Sequence, residues 1–120
     1  MSLVPKGYVK FKSTPLFNKQ SVPPILLDKY TTQTGIYGQI QVHQGELRFV
    51  GLKDGAVDKE LIIKAHETAI SHPKYWHRIE LLSEDTQFQI HYYAHQSLLQ
   101  AALSKTSVQQ SASLSAASGS

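Results

Sequence analysis

Apolar side chains recur at every second position over short stretches of this chain, and turn residues end each stretch before helical spacing can set in. Such spacing predicts an all-β sandwich or barrel. Tyr8-Val-Lys-Phe-Lys-Ser13 alternates, Thr14-Pro15 and Val22-Pro23-Pro24 punctuate an irregular stretch, and Ile25 to Tyr30 reads as a further strand before the polar run from Thr31 to Gly35. A hairpin is predicted next, from Tyr37–His43 and Glu46–Gly51 joined by Gln44-Gly45; a two-residue turn opposes Val42 to Leu47 and Ile40 to Phe49 on the core face. The same register brings Gly38 opposite Gly51. That layer, bare of side chains, is either a bend or bulge, or room for a ligand.

Lys53-Asp54-Gly55-Ala56 is a turn by composition, and Lys59 to Lys64 and Glu67 to Ser71 read as two short strands. Beyond them, Pro73–Glu80 and Gln87–Tyr93 read as a second hairpin around Ser83-Glu84-Asp85-Thr86, with Leu81 opposite Phe88, Ile79 opposite Ile90 and His77 opposite Tyr92. His77 then points inward. The outer face pairs Glu80 with Gln89, Arg78 with His91 and Trp76 with Tyr93, as in an antiparallel sheet buried on one side. From His95 onward, Leu98, Leu99, Ala102 and Leu103 fall at helical spacing and predict a short C-terminal helix against the outside of the barrel. Residues 1–104 are therefore one β-barrel domain, and 105–120, mostly Ser, Ala and Gln, a low-complexity tail.

With 120 residues and no cysteine, the chain has enough surface to bury for a single core, but no disulfide, thiolate metal site or cysteine nucleophile. Histidine, carboxylate and hydroxyl chemistry remain. The net charge of +3 rests on ten lysines and only two arginines, and much of the excess is spread over Lys6, Lys10, Lys12, Lys19 and Lys29. Spaced lysines on an extended arm suit a solvated surface better than a nucleic-acid reader. No apolar run resembles a signal peptide or a membrane span, so a cytoplasmic protein is expected, with no membrane partner.

An imidazole aimed into an apolar interior opposite a phenol makes His77 the leading candidate for a ligand contact, with Tyr92 beside it. The structural alternative is a core histidine whose nitrogens are satisfied by the Tyr92 hydroxyl and a buried carbonyl or water. Tyr30, Tyr37 and Gln39 are placed near the mouth of the same hollow. Trp76 and Tyr93 read as packing partners, and Glu84-Asp85 as ordinary loop acids. No serine sits in a nucleophile elbow, and no pair of carboxylates is set by spacing for acid/base work.

Three stretches, Ser13–Gln20, Thr34–Gly45 and Tyr75–Glu80, followed by Glu84-Asp85, together resemble the cupin-like N-terminal domain of TehB-type tellurite-resistance proteins. The resemblance spans most of residues 8–95. It implies a double-stranded β-helix, the small jelly-roll barrel of cupins, and a link to stress response. In TehB-type proteins the barrel precedes a methyltransferase module; this chain reads as standing alone, with no glycine-rich loop for a methyl donor. Relatives tend to carry histidine where this chain has Tyr30, and tryptophan where it has Tyr37.

Metal-dependent cupins pair a His-x-His, Glu, Gly motif with one later histidine. Matching the closing glycine to Gly45 puts Gly38 at the glutamate position and threonines near Thr32 and Thr34 at the histidine positions, while Pro73 and His77 stand for the second motif. Three of the four ligands are replaced, and a lone imidazole is too few for a catalytic zinc or iron. The expectation is a non-catalytic binder of a small molecule or oxyanion. Two alternatives accompany it: an enzyme with a divalent metal on His77 and nonstandard partners, and a homodimeric interaction module.

Overall fold

A computed structural model describes residues 4–101 and places seven strands in two sheets. The strands are β1 (Tyr8–Ser13), β2 (Ile36–Gln44), β3 (Glu46–Lys53), β4 (Ala56–Lys64), β5 (Thr68–Ser71), β6 (Trp76–Leu81) and β7 (Gln87–His95). One sheet has the order β1-β7-β2-β5 and the other β4-β3-β6. The fold is all-β. Its core lies between the two sheets and draws on both, with Ile40, Val42, Phe88 and Ile90 from the first and Leu47, Phe49, Ile63 and Ile79 from the second.

Ile25 to Tyr30 is not a strand: Pro24–Asp28 forms a single helical turn, α1, that buries only Leu26. Proline at the first helical position has its φ already set and lacks an amide proton that would otherwise go unpaired there. After α1 the chain becomes extended, and Tyr30 exchanges two backbone hydrogen bonds of 2.8 Å with His77, extending the three-stranded sheet beyond β6.

Neither expected hairpin exists. β2 pairs with β5 and β7, whereas β3 pairs with β4 and β6, so the chain changes sheets at Gly45. β6 and β7 likewise belong to different sheets. A tight two-residue hairpin turn favours positive φ at its central residues; Gly45 has φ of +75° but Gln44 does not, whereas Asp54 and Gly55 have +54° and +80° and close the true hairpin, β3 to β4. The inward faces nonetheless match expectation, because Val42 and Leu47 both face the core whether they sit side by side in one sheet or across from each other in two.

His77 lies opposite Gly51 on β3, Tyr92 opposite Gly38 on β2 and Lys12 on β1, and Glu80 opposite Arg48. Glu80 takes ion pairs from Arg48 at 3.0 Å and Arg78 at 3.3 Å instead of facing Gln89. Trp76 is half exposed beside the Lys29 ammonium, 5.3 Å from its ring centre, and Tyr93 donates to Gln39. Residues 96–101 are helical and Leu98 is exposed; Ala102, Leu103 and the 105–120 tail lie outside the described residues.

Candidate functional site

Two rows of residues, one per sheet, meet at the same level of the core. In the three-stranded sheet the row runs Lys59, Gly51, His77 and then Tyr30; in the other it runs Ser71, Gly38 and Tyr92. Each row contains a glycine, so the space a side chain would fill goes to its neighbours. At Gly51 the Tyr75 ring takes it, with a ring carbon 2.7 Å from where a Cβ would stand.

His77 is 1% exposed and stacks on Phe49 at 4.8 Å between ring centres and 11° between planes, with Tyr75 edge-on at 4.9 Å. Its Nδ1 is 3.1 Å from the Ser71 hydroxyl, and its Nε2, fully buried, has no hydrogen-bond partner. Burial among aromatic rings pulls the His77 pKa down to about 4, with His72 adding a smaller push in the same direction. The ring is neutral at physiological pH. The buried Tyr30 hydroxyl is also without a partner. Burial holds its pKa well above the usual phenol value; the nearby Ser71 hydroxyl offsets part of the rise without forming a bond of ordinary geometry.

A cavity of about 350 Å³ has His77 in its wall, together with Phe49, Gly51, Leu61, Ala69 and Tyr75. Strands β4 and β5, the free edges of the two sheets on that side, both contribute to it, and Lys59, Glu60 and His72 stand at its exposed rim. Tyr75 reaches across this opening and donates its hydroxyl to the Asp58 carboxylate on β4. That contact is what raises the phenol's pKa most. Lys74, with φ of +61°, turns the chain so that Tyr75 folds back over Gly51.

Of the side chains the sequence singled out as ligand contacts, His77 alone lines the cavity, where it is joined by Gly51 from the layer bare of side chains. Tyr30 packs against His77, with ring centres 5.7 Å apart, and Tyr92 is half-buried against the core. The Tyr92 hydroxyl does not bond His77; Ser71 holds that place. Tyr37 and Gln39 alternate with buried Gly38 and Ile40 and so lie on the opposite face of their sheet. There Tyr37 touches Tyr8 at 5.0 Å and His72 at 5.6 Å. Sequence reasoning missed Ser71, Phe49 and Tyr75 as partners of His77. The available signal was Gly51, whose missing side chain calls for a large neighbour.

The donors around His77 do not suit a metal. Its immediate neighbours are a hydroxyl, a phenyl ring and two phenols, and among the described residues no three His, Cys, Asp or Glu side chains gather as a ligand set.

Gly51→Ala should displace the Tyr75 ring, the free end of a side chain, and leave the backbone in place. The expected outcome is a stability change within about 1 kcal/mol and a crystal structure in which Tyr75 has left Asp58.

The structure thus defines an all-β domain of two facing sheets, with a polar group sunk in an aromatic cavity at one open edge. A family model, the TehB-like domain, matches residues 12–90. The chain belongs to the TehB-like family. YeaR of Escherichia coli K12, described as an uncharacterized protein, is 30% identical over 99 residues, covering 78% of this chain and 83% of YeaR. TehB of Haemophilus influenzae, described as a probable S-adenosyl-L-methionine-dependent methyltransferase, is 26% identical over 85 residues, which are 69% of this chain but only 30% of TehB. In three dimensions a crystal structure of an E. coli K12 protein aligns with a TM-score of 0.72 at 28% identity, covering 78% of this chain and 97% of that one. The TehB crystal structure from H. influenzae aligns with a TM-score of 0.71 at 28% identity, covering 75% of this chain and 32% of that one. No helix among the described residues is long and apolar enough to cross a membrane.

Proposed function

We propose that this domain is a non-catalytic, cupin-like binding module that takes a small molecule into the cavity beside His77, as a cytoplasmic stress-response component related to tellurite resistance. One observation carries the reading: His77, whose Nε2 is buried without a partner, lines a cavity large enough for a small ligand. A buried polar atom left unpaired costs roughly 1–3 kcal/mol, which a bound ligand would recover. The two-sheet architecture and the glycines of both rows support the double-stranded β-helix that the family resemblance implies. TehB's methyl transfer does not come with it, because this chain matches less than a third of that protein.

The test is a fragment library screened by ligand-observed NMR against the wild-type protein and His77→Phe. Phenylalanine keeps the stack on Phe49 but removes the nitrogen, so hits at this site should disappear while the fold persists. Hits that survive in the variant would overturn the reading. Stoichiometric zinc, iron or manganese in protein purified without a nickel column, lost in His77→Ala, would support the metal-dependent alternative instead.

A further inference from the structure

We infer that the cavity beside His77 accepts its ligand in an uncharged form, with a hydrogen-bonding head group on the imidazole nitrogen and an apolar or aromatic body against Phe49, Leu61 and Ala69. This inference rests on the binding reading above and adds the ligand's chemical class. Ser71 satisfies Nδ1 and leaves Nε2 open. The tautomer decides what Nε2 offers: a proton if Ser71 donates to Nδ1, a lone pair if Ser71 accepts from it. Either way the head group meets one neutral donor or acceptor.

The groups around the ring supply no compensating charge. Phe49 covers one face, Tyr75 stands edge-on, and Tyr30 presents a phenol that burial keeps protonated. Asp58 is engaged by Tyr75. The remaining charges at the cavity, Lys59 and Glu60, are both exposed; Lys59 shares the row of Gly51 and His77 while Glu60 points to the other face of β4, and the exposed ammonium at the rim is screened by water. His72, also at the rim, is exposed. An anion carried to Nε2 would lose its hydration without gaining a cation, unless it brought a proton with it. A weak acid is therefore held as its conjugate acid, and an amide or alcohol as it is.

A matched pair of probes separates these cases. Benzamide and benzoate have nearly the same shape and differ in charge, and both are small enough for the cavity. Titrations followed through the His77 ring nitrogens by NMR, with calorimetry in two buffers of different ionisation enthalpy, are run between pH 6 and 8. Benzamide should bind with constant affinity across that range. Benzoate should weaken roughly tenfold per pH unit, with uptake of one proton per molecule bound and the His77 ring nitrogens staying at neutral-imidazole shifts; a move to imidazolium shifts would put the proton on His77 beside a bound anion and overturn the inference, while failure of benzoate to bind at all agrees with it. Benzoate binding at His77 with constant affinity and no proton uptake would assign the anion to Lys59 and overturn the inference, while leaving the binding reading intact. Silence of the His77 nitrogens toward both probes would overturn both. The ring-nitrogen readout comes from the wild-type protein, so it does not depend on any variant folding.

Discussion

Acidification from pH 6.5 to 4 should cost the fold about 3 kcal/mol through His77. The imidazole titrates near 6.5 in the unfolded chain and near 4 in the folded one. Between these values the unfolded state binds a proton that the folded state refuses, so stability is complete above pH 6.5, falls steadily below it and levels off once both states are protonated. The ring is almost fully enclosed, so solvent screening does little to reduce the effect. His91, whose pKa is also lowered, chiefly by burial and less by Lys10 and His43, adds a contribution of the same sign. Urea unfolding at several pH values checks the expectation. His77→Phe should flatten most of the slope; identical profiles for variant and wild type would show that His77 is not held neutral by the fold.

Gly45→Ala should destabilise by about 2 to 4 kcal/mol, for two additive reasons. Its φ of +75° lies in the left-handed region, and a Cβ there would stand 2.8 Å from the Thr86 Cα, a backbone atom that cannot swing aside. Thr86 is itself fixed: fully buried, it donates to the Glu46 carbonyl at 2.8 Å and lies 2.8 Å from the Ser83 hydroxyl. The contrast with Gly51 is instructive. There the obstacle is the end of a tyrosine side chain, and the expected cost is small. Chemical denaturation of both variants checks the pair, and similar losses at the two positions would contradict this account.

Class of fold and choice of face were legible in the sequence because alternation depends only on which way each side chain points. Ile40, Val42, Leu47, Phe49, His77, Ile79, Phe88 and Ile90 all face inward as the two-residue period requires. Strand partnership was less legible. A strand whose inner face meets the core looks the same whether the next strand joins its own sheet or the opposite one, so Gln44-Gly45 passed for a hairpin turn. The discriminating quantity is the Gln44 φ, which is not left-handed; two-residue hairpin turns favour Gly, Asn or Asp at that first central position, and glutamine there was the signal against a hairpin. Ile25 to Tyr30 was misread for a different reason: two prolines followed by Ile-Leu-Leu fit a strand by composition, whereas only Leu26 and Tyr30 reach the core. At the site, His77 was identified from its face, but Ser71 and Tyr75 come from the segment before β6 and depend on how the chain turns at Lys74.

The sheet order also decides when this molecule can assemble. β7 lies between β1 and β2, so β1 cannot join the four-stranded sheet until β7, the last strand among the described residues, has left the ribosome. A nascent chain that has emerged only as far as residue 86 carries β3, β4 and β6 and the β2–β5 pair, but lacks Phe88 and Ile90, so the apolar face of β3 and β4 is only partly covered. Such intermediates are natural clients for a chaperone. Long-range pairing of this kind makes for slow folding, and a stop codon anywhere before Gln87 should leave an aggregating fragment instead of a smaller folded unit.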